Sequence, residues 1–133
     1  MQSLFELKVK DFPDLAIFNS MKEKAINLIF EADKCQYTQA IVLHSVEGNE
    51  YGMVIRNALS EEKYDEKALI RKIQNDSVIC FVLCMWQDGC IDIPSFNFRK
   101  SLLKLNEKNS EAKLFVMTAG GVSEMKLSAT LKA

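Results

Sequence analysis

Three times along this chain of 133 residues, an amphipathic helix-like stretch gives way to a short break and then to two β-prone runs joined by a turn. The turns centre on Glu47-Gly48-Asn49, Gln87-Asp88-Gly89 and Ala119-Gly120-Gly121. Tight hairpins need backbone at positive φ, which glycine and asparagine reach at low steric cost, so each unit reads as a helix followed by a hairpin. A leading strand is predicted over residues 4–10, where Phe5, Leu7 and Val9 alternate with Glu6, Lys8 and Lys10. This order predicts a single α+β domain over residues 1–133, with a mostly antiparallel sheet of six or seven strands and three helices packed mainly on one face. The three units do not align residue by residue, so they do not amount to an internal repeat.

The helices carry their own punctuation. Ser20-Met21-Lys22-Glu23 has the spacing of a capping box, and Met21, Ala25, Leu28, Ile29 and Ala32 follow at steps of three and four, which predicts a first helix starting at Ser20. A second is predicted from Ser60, where Glu61 and Glu62 would offset the positive end of the helix dipole, with Tyr64, Ala68, Ile70 and Ile73 as its apolar stripe. The third follows Pro94, with Ser95 as cap and Phe98, Leu102 and Leu105 facing inward, and it ends over residues 106–110.

The strands differ in how many of their faces are apolar. Residues 78–86, Val-Ile-Cys-Phe-Val-Leu-Cys-Met-Trp, are apolar on both, the mark of a central strand covered on each side. Residues 114–117 are similar, and residues 40–46 nearly so, interrupted by His44 and Ser45. Over residues 124–131, Met125, Leu127, Ala129 and Leu131 alternate with Glu124, Lys126, Ser128 and Thr130, which predicts a last strand with one wet side. Were all three helices to lie on one face, the middle of the other would present Phe81 and Leu83, or Val82 and Cys84, to solvent, and such patches mark binding surfaces. The alternative is that the helices divide between the faces.

Composition excludes several classes. Hydrophobic residues make up 48% and charged residues 26%, as in ordinary globular domains, and the formal charge of −1 creates no field that would draw the molecule to nucleic acid or an anionic bilayer. The basic stripe Arg99, Lys100, Lys104 and Lys108 is diluted by Glu107 and Glu111 and reads as a solvated helix face. The longest apolar run is about half of what a membrane-spanning helix requires. Four cysteines without a Cys-x-x-Cys spacing, and a first segment without a signal-peptide pattern, point to a cytoplasmic protein.

Candidate chemistry is sparse. His44 is the single histidine, and Ser45 cannot be its partner because adjacent strand residues point to opposite faces. Cys80 or Cys84 could lie across from it if the strands pair, although apolar surroundings disfavour a reactive thiolate. Metal-type donors are His44, Glu47 and Glu50 near the first turn and Asp88 and Asp92 near the second, at spacings that match no ligand motif. No phosphate-cradling glycine loop is present. These observations favour a cytoplasmic protein-interaction module over an enzyme: an adaptor, immunity-type inhibitor or regulatory subunit. It is expected to self-associate as a homodimer through an apolar sheet face, with Phe81, Leu83 and Trp86 as binding residues, no catalytic or metal residues, no cofactor, and neither nucleic acid nor membrane as partner. The alternative is a small hydrolase or metal-dependent enzyme that uses His44 with Glu50, Asp88 or Asp92 at the hairpin ends. A third reading places a small apolar ligand near Phe81, Leu83 and Trp86.

Overall fold

In the computed structural model, which describes residues 15–32, 37–55 and 67–131, the apolar run forms β3 (Ile79–Trp86) and lies in the middle of the sheet. The chain runs α1 (Leu15–Glu31), β1 (Gln39–Ser45), β2 (Glu50–Ile55), α2 (Lys67–Lys72), β3, β4 (Ile91–Asp92), α3 (Phe96–Leu105), a 3-10 turn (Glu107–Glu111), β5 (Lys113–Thr118), β6 (Gly121–Lys126) and α4 (Leu127–Thr130). The six strands form one sheet in the order β2-β1-β3-β5-β6, with the short β4 paired to the end of β3. All pairs are antiparallel except β3 with β5, which are parallel and therefore need the crossover that α3 supplies. The α+β class and the mostly antiparallel sheet match the sequence-based expectation, and all three predicted glycine turns join antiparallel strands.

Alternation along the strands sorts the core into two layers. Ile41, Leu43, Val82, Cys84 and Leu114 point to one face, where Leu69 and Ile73 at α2, Phe98 and Leu102 of α3 and Leu127 of α4 close over them. Ala40, Val42, Phe81, Leu83, Met85 and Phe115 point to the other, under Phe18, Met21 and Ala25 of α1. The helices thus divide between the faces, two of the three longer ones sharing a side and α1 taking the other. The middle of the sheet is dry on both sides, so Phe81 and Leu83 meet α1 rather than solvent.

Two boundaries differ from expectation. Helix α1 already includes Leu15 to Asn19, because Phe18 lies one turn before Met21 and Ala25 and buries with them, so Ser20 sits inside the helix and is not its cap. The predicted last strand stops at Lys126, which pairs with Lys113 at the very start of β5. Beyond it β5 offers no partner, and the Leu127 amide donates instead to the Ala112 carbonyl at 2.7 Å while its side chain buries completely, turning residues 127–130 into α4. Ser95 caps α3 as expected, its hydroxyl oxygen accepting from the Phe98 amide at 3.1 Å. The predicted strand at residues 4–10 and helix start at Ser60 lie outside the described residues. Among the described residues no helix is long and apolar enough to cross a membrane.

Candidate functional site

The β1–β2 hairpin sets His44 directly opposite Glu50. Paired residues of an antiparallel ladder present their side chains on the same face about 5 Å apart, close enough for a direct hydrogen bond. His44 Nδ1 lies 3.0 Å from Glu50 Oε2. From α1, the Ser20 hydroxyl donates to the same carboxylate oxygen at 2.9 Å. An Nδ1–H that donates to the Glu50 carboxylate leaves the Nε2 lone pair of the ring as a base. The two side chains are 16% and 15% exposed, so the pair is mostly buried but still reachable from solvent. Phe81 meets the imidazole edge to face at 6.1 Å between ring centroids and fixes its tilt.

The ladder between β1 and β3 breaks at this point. His44 lies opposite Phe81 but Ser45 lies opposite Ile79, so Cys80 is an extra residue on β3. Such bulges re-aim side chains and are common beside active sites. The half-buried Cys80 packs with the α1-side core, whereas Cys84 is buried on the other face.

Behind the hairpin, on the α2 side, sits a second polar cluster. Asp76 Oδ2 accepts from the Ser45 hydroxyl at 2.6 Å, the Asn49 side-chain amide at 3.0 Å and the Tyr51 hydroxyl at 3.0 Å. The Ser45 hydroxyl, then the Asn49 amide, hold the Asp76 carboxyl below its ordinary range. The bond to Asp76 in turn pushes the Tyr51 phenol up, since losing its proton would place two negative charges side by side. The Ser45 oxygen also accepts the Asn49 amide at 3.2 Å, so the cluster rigidifies the turn that carries His44 and Glu50.

The other expected partners do not join this site. Asp88 follows the far end of β3, and with Gln39 opposite Trp86 and His44 opposite Phe81 the two ends are five residues apart, about 17 Å along the strand. Its Oδ1 accepts the Cys90 amide at 2.9 Å, which holds the Asp88 carboxyl below its ordinary range as a turn anchor. Asp92 pairs with Cys84 and so lies on the face opposite His44, where Oδ2 accepts the Trp86 indole N–H at 3.0 Å. Glu47 is exposed in the turn. Phe81 and Leu83 are core residues of the α1 face, and Trp86 is half-buried at the strand end. A cavity of about 480 Å³ does open at that end, but it is walled by Ile26, Ile29, Phe30 and Met85 with Lys22 and Asp88 at its margin, and Phe81, Leu83 and Trp86 do not line it. Among the described residues no three His, Cys, Asp or Glu side chains gather as a metal site. Ser20 was not legible as a site residue, because its spacing to Glu23 imitates a cap. Asp76 carried no local signal either, since its partners lie 25 to 31 residues away.

No protein-family model matches the sequence, and no curated protein matches it. The fold does have solved counterparts. Cytidine deaminase from Mycobacterium leprae superposes with a TM-score of 0.64 at 16% identity, over 87% of this chain and 98% of that one. Cytidine deaminase from Mycobacterium tuberculosis gives 0.60 at 12% identity over 86% and 93%, and that from Burkholderia pseudomallei gives 0.60 at 9% identity over 84% and 93%. At such identities the likeness concerns the fold. Two findings correct the expectation of a non-enzymatic protein-binding module: the sheet face meant to carry the contact is covered by α1, and the architecture is one that enzymes use over nearly their whole length.

Proposed function

We propose that this protein is a small hydrolase that cleaves the carbon–nitrogen bond of an amino-substituted ring, with His44 as its general base and Glu50 as the group that orients and charges it. The observation that carries the reading is the His44–Glu50 pair at 3.0 Å, braced by Ser20 from a different element. The substrate class follows from the likeness to cytidine deaminases, whose named reaction removes an amino group from cytidine.

The chemistry balances with the chain's own residues. As a water oxygen bonds to the ring carbon bearing the amino group, His44 Nε2 takes a proton from that water, and Glu50 stabilises the resulting imidazolium through Nδ1–H. The addition places an electron pair on the adjacent ring nitrogen. That pair expels the amino group as the imidazolium returns its proton to the departing nitrogen, ammonia leaves, and the ring hydroxyl that remains passes its proton to the ring nitrogen to give a carbonyl. Positioned acid–base groups of this kind contribute about 10²–10⁴-fold in rate. Zinc deaminases of nucleobases instead activate water on a metal held by one His or Cys and two further Cys. The described residues do not gather that ligand set: His44 and Cys84 lie on opposite faces of the sheet, and among the described residues no three His, Cys, Asp or Glu side chains come together.

Ammonia release measured over cytidine, deoxycytidine, cytosine and other amino-substituted nucleobases tests the proposal. Turnover of at least one compound is expected, falling by about 100-fold or more in His44→Ala and by less in Glu50→Gln, where an amide can still hold the ring. No ammonia from any compound, or an undiminished rate in His44→Ala, overturns it.

A further inference from the structure

In zinc deaminases acting on nucleobases, two of the metal-binding cysteines are spaced Cys-x-x-Cys directly after a proline, and the remaining ligand sits in a His-x-Glu motif. The described proline of this chain, Pro94, lies at the mouth of α3, and the two positions in question are Ser95 and Phe98. Neither is a vacant place. The Ser95 hydroxyl caps α3 through the Phe98 amide, satisfying one of the donors that a helix start leaves open. The Phe98 ring is 1% exposed and packs into the core with Cys84, Leu102 and Leu114. A thiolate at that depth would stand in hydrocarbon; a phenyl ring belongs there.

Among the described residues the remaining soft ligands do not substitute. The sequence holds one histidine and four cysteines, with no Cys-x-x-Cys and no His-x-Glu, since His44 is followed by Ser45 and Val46. His44 and Cys80 face α1 at the hairpin end, Cys84 is buried under α3 on the other side, and Cys90 is exposed beyond the Asp88-Gly89 turn. The sheet backbone separates the first pair from Cys84. Arg99 then closes the mouth of α3, its Nε donating to the Pro94 carbonyl at 2.9 Å and its Nη1 to the Thr130 carbonyl at 2.7 Å, so the helix start is tied to α4.

We infer that the metal position of the deaminase fold has been converted in this chain into a helix cap and core packing, and that the protein is a zinc-independent member of that architecture. The inference rests on the fold and on the residues at α3, not on the hydrolase reading, and the two fail separately. Zinc content is measured by elemental analysis on protein purified from zinc-supplemented medium, alongside the melting temperature with and without a strong chelator. The expected result is zinc far below one atom per chain and an unmoved melting temperature, with Ser95→Ala lowering the melting temperature and leaving the metal content as it was. One zinc per chain, or a partial content whose removal lowers the melting temperature, overturns the inference; Cys35→Ser, Cys80→Ser, Cys84→Ser and Cys90→Ser then locate the ligands. Zinc-free protein that releases no ammonia sinks the hydrolase reading and leaves this one standing.

Discussion

At the end of β1, neighbouring side chains serve opposite layers: His44 reaches Glu50 on the α1 side, and Ser45 reaches Asp76 on the α2 side. The strict alternation of a strand makes this separation readable from the sequence, which is why Ser45 could be excluded as a partner of His44. Glu50 could be placed among the possible partners because a three-residue turn leaves only a few cross-strand positions open. Asp76 could not, since it enters from another part of the chain. Its depressed acidity gives a testable sign. A carboxyl whose folded value lies below its ordinary 3.8 contributes stability in full above that value and loses it as the pH falls through the depressed folded value. Asp76→Asn is therefore expected to be less stable than the parent at neutral pH, with the gap narrowing on acidification below about pH 4. Denaturant melts from pH 7 to pH 2 measure it, and a gap that stays constant would remove Asp76 as the anchor of the turn.

Among the elements, α3 was the most legible, because a capping serine after proline and inward Phe98 and Leu102 are all local signals. Helix α1 was legible in kind and misplaced at its start, because burial of Phe18 outweighs a capping pattern further along. The seating of α1 depends on a feature with no periodicity at all, the missing side chain of Gly52. A Cβ built there would lie 2.5 Å from Leu28 Cδ1 and 3.3 Å from Lys24 Cε, so the helix approaches β2 as closely as a bare backbone allows. Gly52→Val is expected to destabilise by about 1–3 kcal/mol through overpacking. Because Ser20 rides on the same helix, its bond to Glu50 should loosen too. Chemical denaturation checks the first effect, and a variant as stable as the parent would mean that α1 shifts without resistance.

For the whole molecule, the covering of the sheet on both sides is the decisive fact. Leu83 packs under α1 and Leu114 under the α2–α3 layer. Each Leu→Ala change is expected to cost about 2–5 kcal/mol. Since the sheet lies between them, the double variant should be additive within about 0.5 kcal/mol. Strong non-additivity in denaturant unfolding would show that the layers are not independent. The sequence by itself determined that residues 79–86 form a central strand, that three glycine turns close hairpins, and that an α+β sheet results, because period-two and period-3.6 patterns and positive-φ turns are properties of neighbouring residues. Tertiary structure alone decided which face each helix covers, that β3 and β5 run parallel, and that the last segment leaves the sheet as α4. It also decided that Ser20, His44 and Glu50 converge while Asp88 and Asp92 stay away. Those outcomes follow from burial shared between segments distant along the chain, and no local pattern records which distant segment will supply the partner.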